Sequence, residues 1–127
     1  MTRIAELDTP VVTIRLDVME ANIRRVQSRL STLGVGNRPH IKTHKIPAIG
    51  KQQMAAGAMG ITCQKLGEVE VFVDAGVADD VLLSYNILGA AKGERLMAAC
   101  DCAAVASGTA SLELAFFDGQ QTGQLMS

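Results

Sequence analysis

Apolar residues recur at alternating spacings of three and four through Leu16, Met19, Ile23, Val26, Leu30 and Leu33, while Arg24, Arg25, Gln27 and Ser28 fall between them. That period draws one stripe along a helix. Asp17, with Glu20 three positions on, predicts a capping-box start, and Gly34-Val35-Gly36-Asn37 supplies residues that tolerate a positive φ at its stop. Ahead of this helix, Pro10-Val11-Val12-Thr13-Ile14 is short and β-branched and reads as a strand opened by proline.

The same alternation of patterns continues. Pro47 suits a first helical turn, and the run from it to Ala58 predicts a second helix burying Ile49, Met54 and Ala58. Ile61-Thr62-Cys63-Gln64 reads as a strand, and Leu66 to Ala75 as a third helix with Leu66, Val69 and Val73 on one side and Gly76 at its end. Asp80 to Tyr85 is nearly continuous in apolar residues, the pattern of a strand covered on both faces, and residues 91–99 begin a fourth helix. Strands starting near 38, 60 and 80, each followed by a helix, make a βα repeat. Such units imply parallel strands joined by right-handed crossovers, in a barrel or in a doubly wound sheet. No G-x-G-x-x-G fingerprint follows any strand, which counts against the dinucleotide-binding version. In either architecture the chemistry belongs at the carboxyl ends of the strands, where His44, Gln64, Tyr85 and Asn86 fall.

Both histidines and three of the twelve basic residues sit in Arg38-Pro39-His40-Ile41-Lys42-Thr43-His44-Lys45. Pro39 and the following Pro47 favour an extended chain, which would put Arg38, His40, Lys42 and His44 on one face and Ile41 and Thr43 on the other. A lysine in such a row is a candidate Schiff-base lysine, since desolvation and neighbouring cations both lower an amine pKa. A solvated basic edge strand explains the same charges without chemistry. A metal shared by His40 and His44 is disfavoured, because on a strand they would stand about 13 Å apart.

Composition narrows the classes. With 127 residues, 48% hydrophobic and 20% charged, the chain has the size of one soluble domain with a real core. The net charge of −1 and only four aromatic residues argue against nucleic acid as a partner. No apolar run is long enough for a membrane span and no secretory segment opens the chain, so a cytoplasmic location is expected. Cys63, Cys100 and Cys102 match neither a disulfide framework nor a zinc spacing. All twelve Lys and Arg lie at or before Arg95, whereas the 32 residues after it carry only Asp101, Glu113 and Asp118. From residue 100 the βα pattern fails and one apolar island, 112–117, stands in an Ala, Gly, Ser, Thr and Gln background. Residues 1–99 therefore read as one domain and 100–127 as a divergent, poorly ordered tail.

The motifs at 38–45, Gly-Ile-Thr-Cys-Gln-Lys-Leu-Gly-Glu at 60–68, Asp-Ala-Gly at 74–76 and Asp-Val-Leu-Leu-Ser-Tyr-Asn-Ile-Leu-Gly at 80–89, with Leu-Asp-Thr-Pro at 7–10, carry a resemblance. Together they resemble the N-terminal part of the D-threonine aldolase and D-serine dehydratase family, over residues 5–98. The resemblance implies an α/β fold of the alanine racemase N-terminal type, a partial and truncated (β/α)8 barrel. It implies a pyridoxal 5'-phosphate-dependent lyase acting on D-β-hydroxy amino acids by retro-aldol cleavage or dehydration. By motif, Lys42 resembles the lysine that holds the cofactor as a Schiff base, and His40 and Gln64 would be cofactor neighbours, with His44 as a further wall residue.

The full family barrel needs well over 200 residues, so its phosphate site and its divalent-metal pair would lie outside this chain, which is expected to be inactive alone. An alternative is a non-catalytic fragment or partner-binding module, self-associating through open barrel edges. A further one is a pyridoxal phosphate-homeostasis-like binding protein, whose lysine motif differs.

Overall fold

The computed structural model describes residues 3–107 and 111–114. Helix α1 spans Leu16–Thr32, α2 Pro47–Ala55, strand β1 Ile61–Cys63, α3 Leu66–Asp74, β2 Asp80–Leu83, α4 Ala90–Ser107 and β3 Ser111–Leu114. The three strands pair in parallel in the order β1-β2-β3, and a single parallel bridge between His40 and Thr62 adds the preceding segment beside β1. Each strand thus lies next to the one before it, with a helix between.

Alternate strand residues explain the core. Ile61 and Cys63 of β1 and Val81 and Leu83 of β2 are buried with Val69 and Phe72 of α3 and Leu96 and Ala99 of α4, so both helices cover one face of the sheet. On the other face Thr62, Asp80 and Leu82 are only half-buried. The expected double burial of β2 is therefore corrected: its apolar run alternates, because no described element covers its second face.

Helix ends were well marked. Gly34, Gly57 and Gly76 all take positive φ one residue past the caps of α1, α2 and α3. In each case the next amide reaches back to the carbonyl five residues earlier, as in Val35 N to Leu30 O at 3.0 Å, the Schellman closure that an L side chain would strain.

Other expectations change. Helix α1 begins at Leu16 with Arg15 as its cap, and the Asp17 carboxylate, one position inside the helix, is held by the Arg15 guanidinium at 2.6 Å. Asp17 still serves the first turn as a negative charge near the helix N-terminus. Its apolar stripe is half covered: Met19, Ile23 and Leu30 are partly buried, and Leu16, Val26 and Leu33 are exposed. Residues 10–14 form no strand, since no described strand runs beside them, and Val12 is 92% exposed. Helix α4, expected to begin with residues 91–99, spans Ala90–Ser107 and so runs into the expected tail, and part of the apolar island at 112–117 is strand β3. The remainder of the expected tail, at 108–110 and 115–127, lies outside the described residues.

Candidate active site

Three segments lie side by side with their carboxyl ends together. Thr62 N donates to Pro39 O at 2.9 Å, and Ser84 N donates to Cys63 O at 3.0 Å. These bonds gather the ends of the 38–40 segment, β1 and β2, and so bring His40, Lys42, Gln64 and Ser84 into one group.

The extended strand expected over 38–45 stops at His40. Ile41–Thr43 form one 3-10 turn, in which the His40 Nδ1 accepts the Lys42 amide at 3.4 Å and the Thr43 hydroxyl donates to the His40 carbonyl at 3.4 Å. Side-chain acceptors here take donors that a ladder would have used. The turn buries Ile41 completely among Ile61, Leu83 and Phe72. It also ends the predicted alternation of faces, since Lys42 now projects from a turn just past the strand end. Lys45 then takes a φ of 55°, a left-handed conformation that is uncommon for a residue with a Cβ.

Lys42 Nζ donates to Gln64 Oε1 at 3.2 Å. Beside it, His40 Nε2 lies 3.5 Å from Ser84 Oγ, which donates to the Cys63 carbonyl at 3.2 Å. Because His40 Nδ1 is an acceptor, its ring proton belongs on Nε2 and points to Ser84. Burial, and then the Lys42 charge, push the imidazole below its ordinary value, so His40 is neutral at pH 7. The site thus pairs an amine with a carboxamide acceptor and an uncharged imidazole.

Beneath Gln64 lies Glu68, which sequence reasoning missed. Its residue is 8% exposed, its Oε2 accepts the Gln64 amide at 2.8 Å, and its Oε1 stands 3.3 Å from Lys45 Nζ, an ion pair without hydrogen-bond alignment. Burial opposes the charge, but the Gln64 amide and Lys45 outweigh it and hold the carboxyl below its usual range. The signal available was the Gln64-to-Glu68 spacing at a helix start, in which an acid in the first turn reaches back to a preceding amide.

His44 is turned away from this group. Its Nδ1 accepts the Ile46 amide at 3.0 Å, its ring centroid is 6.3 Å from that of Phe72, and it lines an open surface hollow between α1 and α2 with Val18, Met19, Ile23, Ile49 and Gln53. Tyr85 and Asn86 are exposed on the loop after β2. At the opposite end of the strands, the Arg38 guanidinium grips Asp80 with two bonds of 2.7 and 2.5 Å, close against Gly60, where any Cβ would collide with it. Buried Cys63 is pushed up to about 12 by burial and by the Glu68 charge, which leaves it inert at neutral pH. Among the described residues, no three His, Cys, Asp or Glu side chains converge on a metal position, and no helix is long and apolar enough to cross a membrane.

No family model matches the chain. A D-threonine aldolase of Arthrobacter sp. is 43% identical over 89 residues, 70% of this chain and 23% of that protein. A D-threo-3-hydroxyaspartate dehydratase of a Delftia species is 49% identical over 73 residues, 58% of this chain and 19% of that protein. Among solved structures, the D-threonine aldolase of Filomicrobium marinum superposes with a TM-score of 0.72 at 43% identity, covering 76% of this chain and 26% of that one. The chain thus spans about a quarter or less of the length of these relatives.

Proposed function

Since this chain is homologous over its N-terminal part to the family of D-threonine aldolases and D-serine dehydratases, we propose that it supplies the opening βα units and the cofactor-anchoring lysine of a pyridoxal phosphate-dependent lyase for D-β-hydroxy amino acids. The single observation that carries this reading is Lys42, held at the carboxyl end of a parallel sheet with its amine directed to Gln64. Sequential strand order with α3 and α4 on one face, and a half-buried opposite face, are compatible with the first units of a (β/α)8 barrel and support that reading.

The residues present fit the aldehyde end of the cofactor. Lys42 would be its covalent anchor, and the neutral His40 and the Gln64 carboxamide its neighbours. When bound, the cofactor supplies an electron sink that stabilises negative charge developing at the substrate carbon. The chain's own part is to hold the amine in place. Gln64 Oε1 accepts from Nζ in the resting site, and the 3-10 turn fixes the lysine backbone through His40. His40, with its proton on Nε2 facing Ser84, adds no second positive charge beside the amine. Among the described residues no three potential metal ligands converge. Cleavage or dehydration of substrate is proposed for the complete site, to which these residues contribute the anchor.

Incubation with pyridoxal 5'-phosphate, borohydride reduction and peptide mapping tests the reading. The modified lysine is expected to be Lys42, and Lys42→Ala to abolish specific capture. Equal capture by the Lys42→Ala chain sinks the assignment.

Exposed Val11, Val12, Ile14 and Leu16 favour a second reading, in which the chain is a partner-binding module that self-associates through uncovered apolar surface. Concentration-dependent oligomers in sedimentation velocity are its expected signature, and a monodisperse monomer rules it out.

A further inference from the structure

We infer that Glu68 is a positioning residue for Lys42, clamping together the two loops whose side chains meet at the amine. The inference rests on the reading of Lys42 as anchor. One carboxylate oxygen receives the backbone of Gln64, the residue that presents the acceptor; the other faces Lys45, which closes the turn that presents Lys42.

The geometry of the second loop shows a cost consistent with that role. Lys45 holds a left-handed φ of 55° although it has a Cβ, and its amide still donates to Ile41 O at 2.8 Å. Strain of this kind persists where surrounding contacts over-determine the conformation. Here those contacts are the Ile41 carbonyl on the backbone and the Glu68 carboxylate on the side chain. A buried carboxylate in a helix's first turn is also more than a cap: the exposed alternative, with the acid in water, would satisfy the helix N-terminus without ordering either loop.

Glu68 therefore acts through Gln64 and Lys45 on where the Lys42 amine sits, without touching cofactor or substrate itself. Loss of its charge should leave the fold in place and lower the capture of an aldehyde at Lys42. In that capture Nζ adds to the aldehyde carbon, water leaves as the C=N bond forms, and borohydride delivers hydride to give a stable secondary amine.

The test uses the full chain, pyridoxal 5'-phosphate as probe, borohydride trapping and peptide mapping, with exposed Lys51 and Lys92 as internal references. Glu68→Gln is expected to lower the share captured at Lys42 about tenfold, the order of loss that a small misplacement of a reacting group produces. Lys51 and Lys92 should be unchanged. In a Gln64→Ala chain, adding Glu68→Gln should produce a smaller further fall than it does in the wild-type chain, because the acceptor that Glu68 helps to place is gone and only its contact with Lys45 remains to be lost. Lys45→Gln, an exposed change that spares the helix cap, should also lower the Lys42 share and serves if Glu68→Gln fails to fold. Undiminished Lys42 capture in both single variants overturns the inference alone, and so does a fully additive fall in the double variant. If the wild-type chain shows no preference for Lys42, the anchor reading fails and takes this inference with it.

Discussion

Replacing Arg38 by methionine keeps the apolar stem and removes the guanidinium, which isolates the contribution of the ion pair at the amino end of the sheet. The structure sets its size. Arg38 and Asp80 are 22% and 29% exposed as side chains, and they share two hydrogen bonds of 2.7 and 2.5 Å, with a third contact of 3.4 Å to the Asp80 carbonyl. Breaking a fully buried pair costs about 3–5 kcal/mol, while an exposed pair is worth about 0–1 kcal/mol. At roughly three-quarters coverage the expected loss is about 2 kcal/mol, an intermediate value between those limits. For a chain of this size that is a fall of about 8 °C in the thermal midpoint. Asp80→Asn should cost a similar amount, and the double variant should show a favourable coupling, since each single change leaves a half-buried partner behind. Thermal unfolding followed by far-ultraviolet circular dichroism reads all four chains. If both single variants stay within about 0.5 kcal/mol of wild type, the pair behaves as a solvated one and the argument from its coverage is wrong.

Three further outcomes follow from named contacts. Gly50→Ala would put a Cβ 2.8 Å from Val77 Cγ1 and 2.9 Å from Phe72 Cε1, so overpacking should outweigh the gain in helix propensity and leave a net loss of about 1 kcal/mol by urea denaturation; a stabilised variant would show that α2 has room to move. Because the Glu68 carboxyl is held below its ordinary 4.5, its contribution is fully present above that value and lost as pH falls through the lower folded value. The difference in thermal midpoint between wild type and Glu68→Gln should accordingly shrink on acidification below about pH 4, and a pH-independent difference contradicts the linkage. Cys63, fully buried and with its thiol pushed up to about 12, should resist iodoacetamide at neutral pH until urea unfolds the chain; equal rates in the two states refute its burial.

The βα order was legible because it rests on local signals. The three- and four-residue spacing from Leu16 to Leu33 and the glycines at 34, 57 and 76 each depend on a few neighbouring residues, and the structure keeps them. The motifs at 38–45 and 60–68 singled out Lys42, His40 and Gln64, and those three meet. What failed depended on partners distant in sequence. Pro10 to Ile14 has the composition of a strand, yet a strand exists only where a ladder lies beside it, and periodicity says nothing about the neighbour. His44 shared its predicted face with Lys42 until the 3-10 turn rotated it toward Phe72.

Glu68 shows why a buried contact residue is harder to read from sequence than a residue in a conspicuous motif. A lysine between two histidines announces itself through residue type, whereas a glutamate at the start of a helix looks like one more solvated charge. Its burial depends on the fold bringing a lysine 23 positions earlier to its outer oxygen and an amide four positions earlier to its inner one. Neither condition leaves a periodic trace. Lys45 reaches it from a left-handed conformation that side-chain sterics disfavour, one that local propensity does not predict. A candidate lysine at a strand end can thus be singled out from sequence, while the contacts around its amine require the positions of both loops.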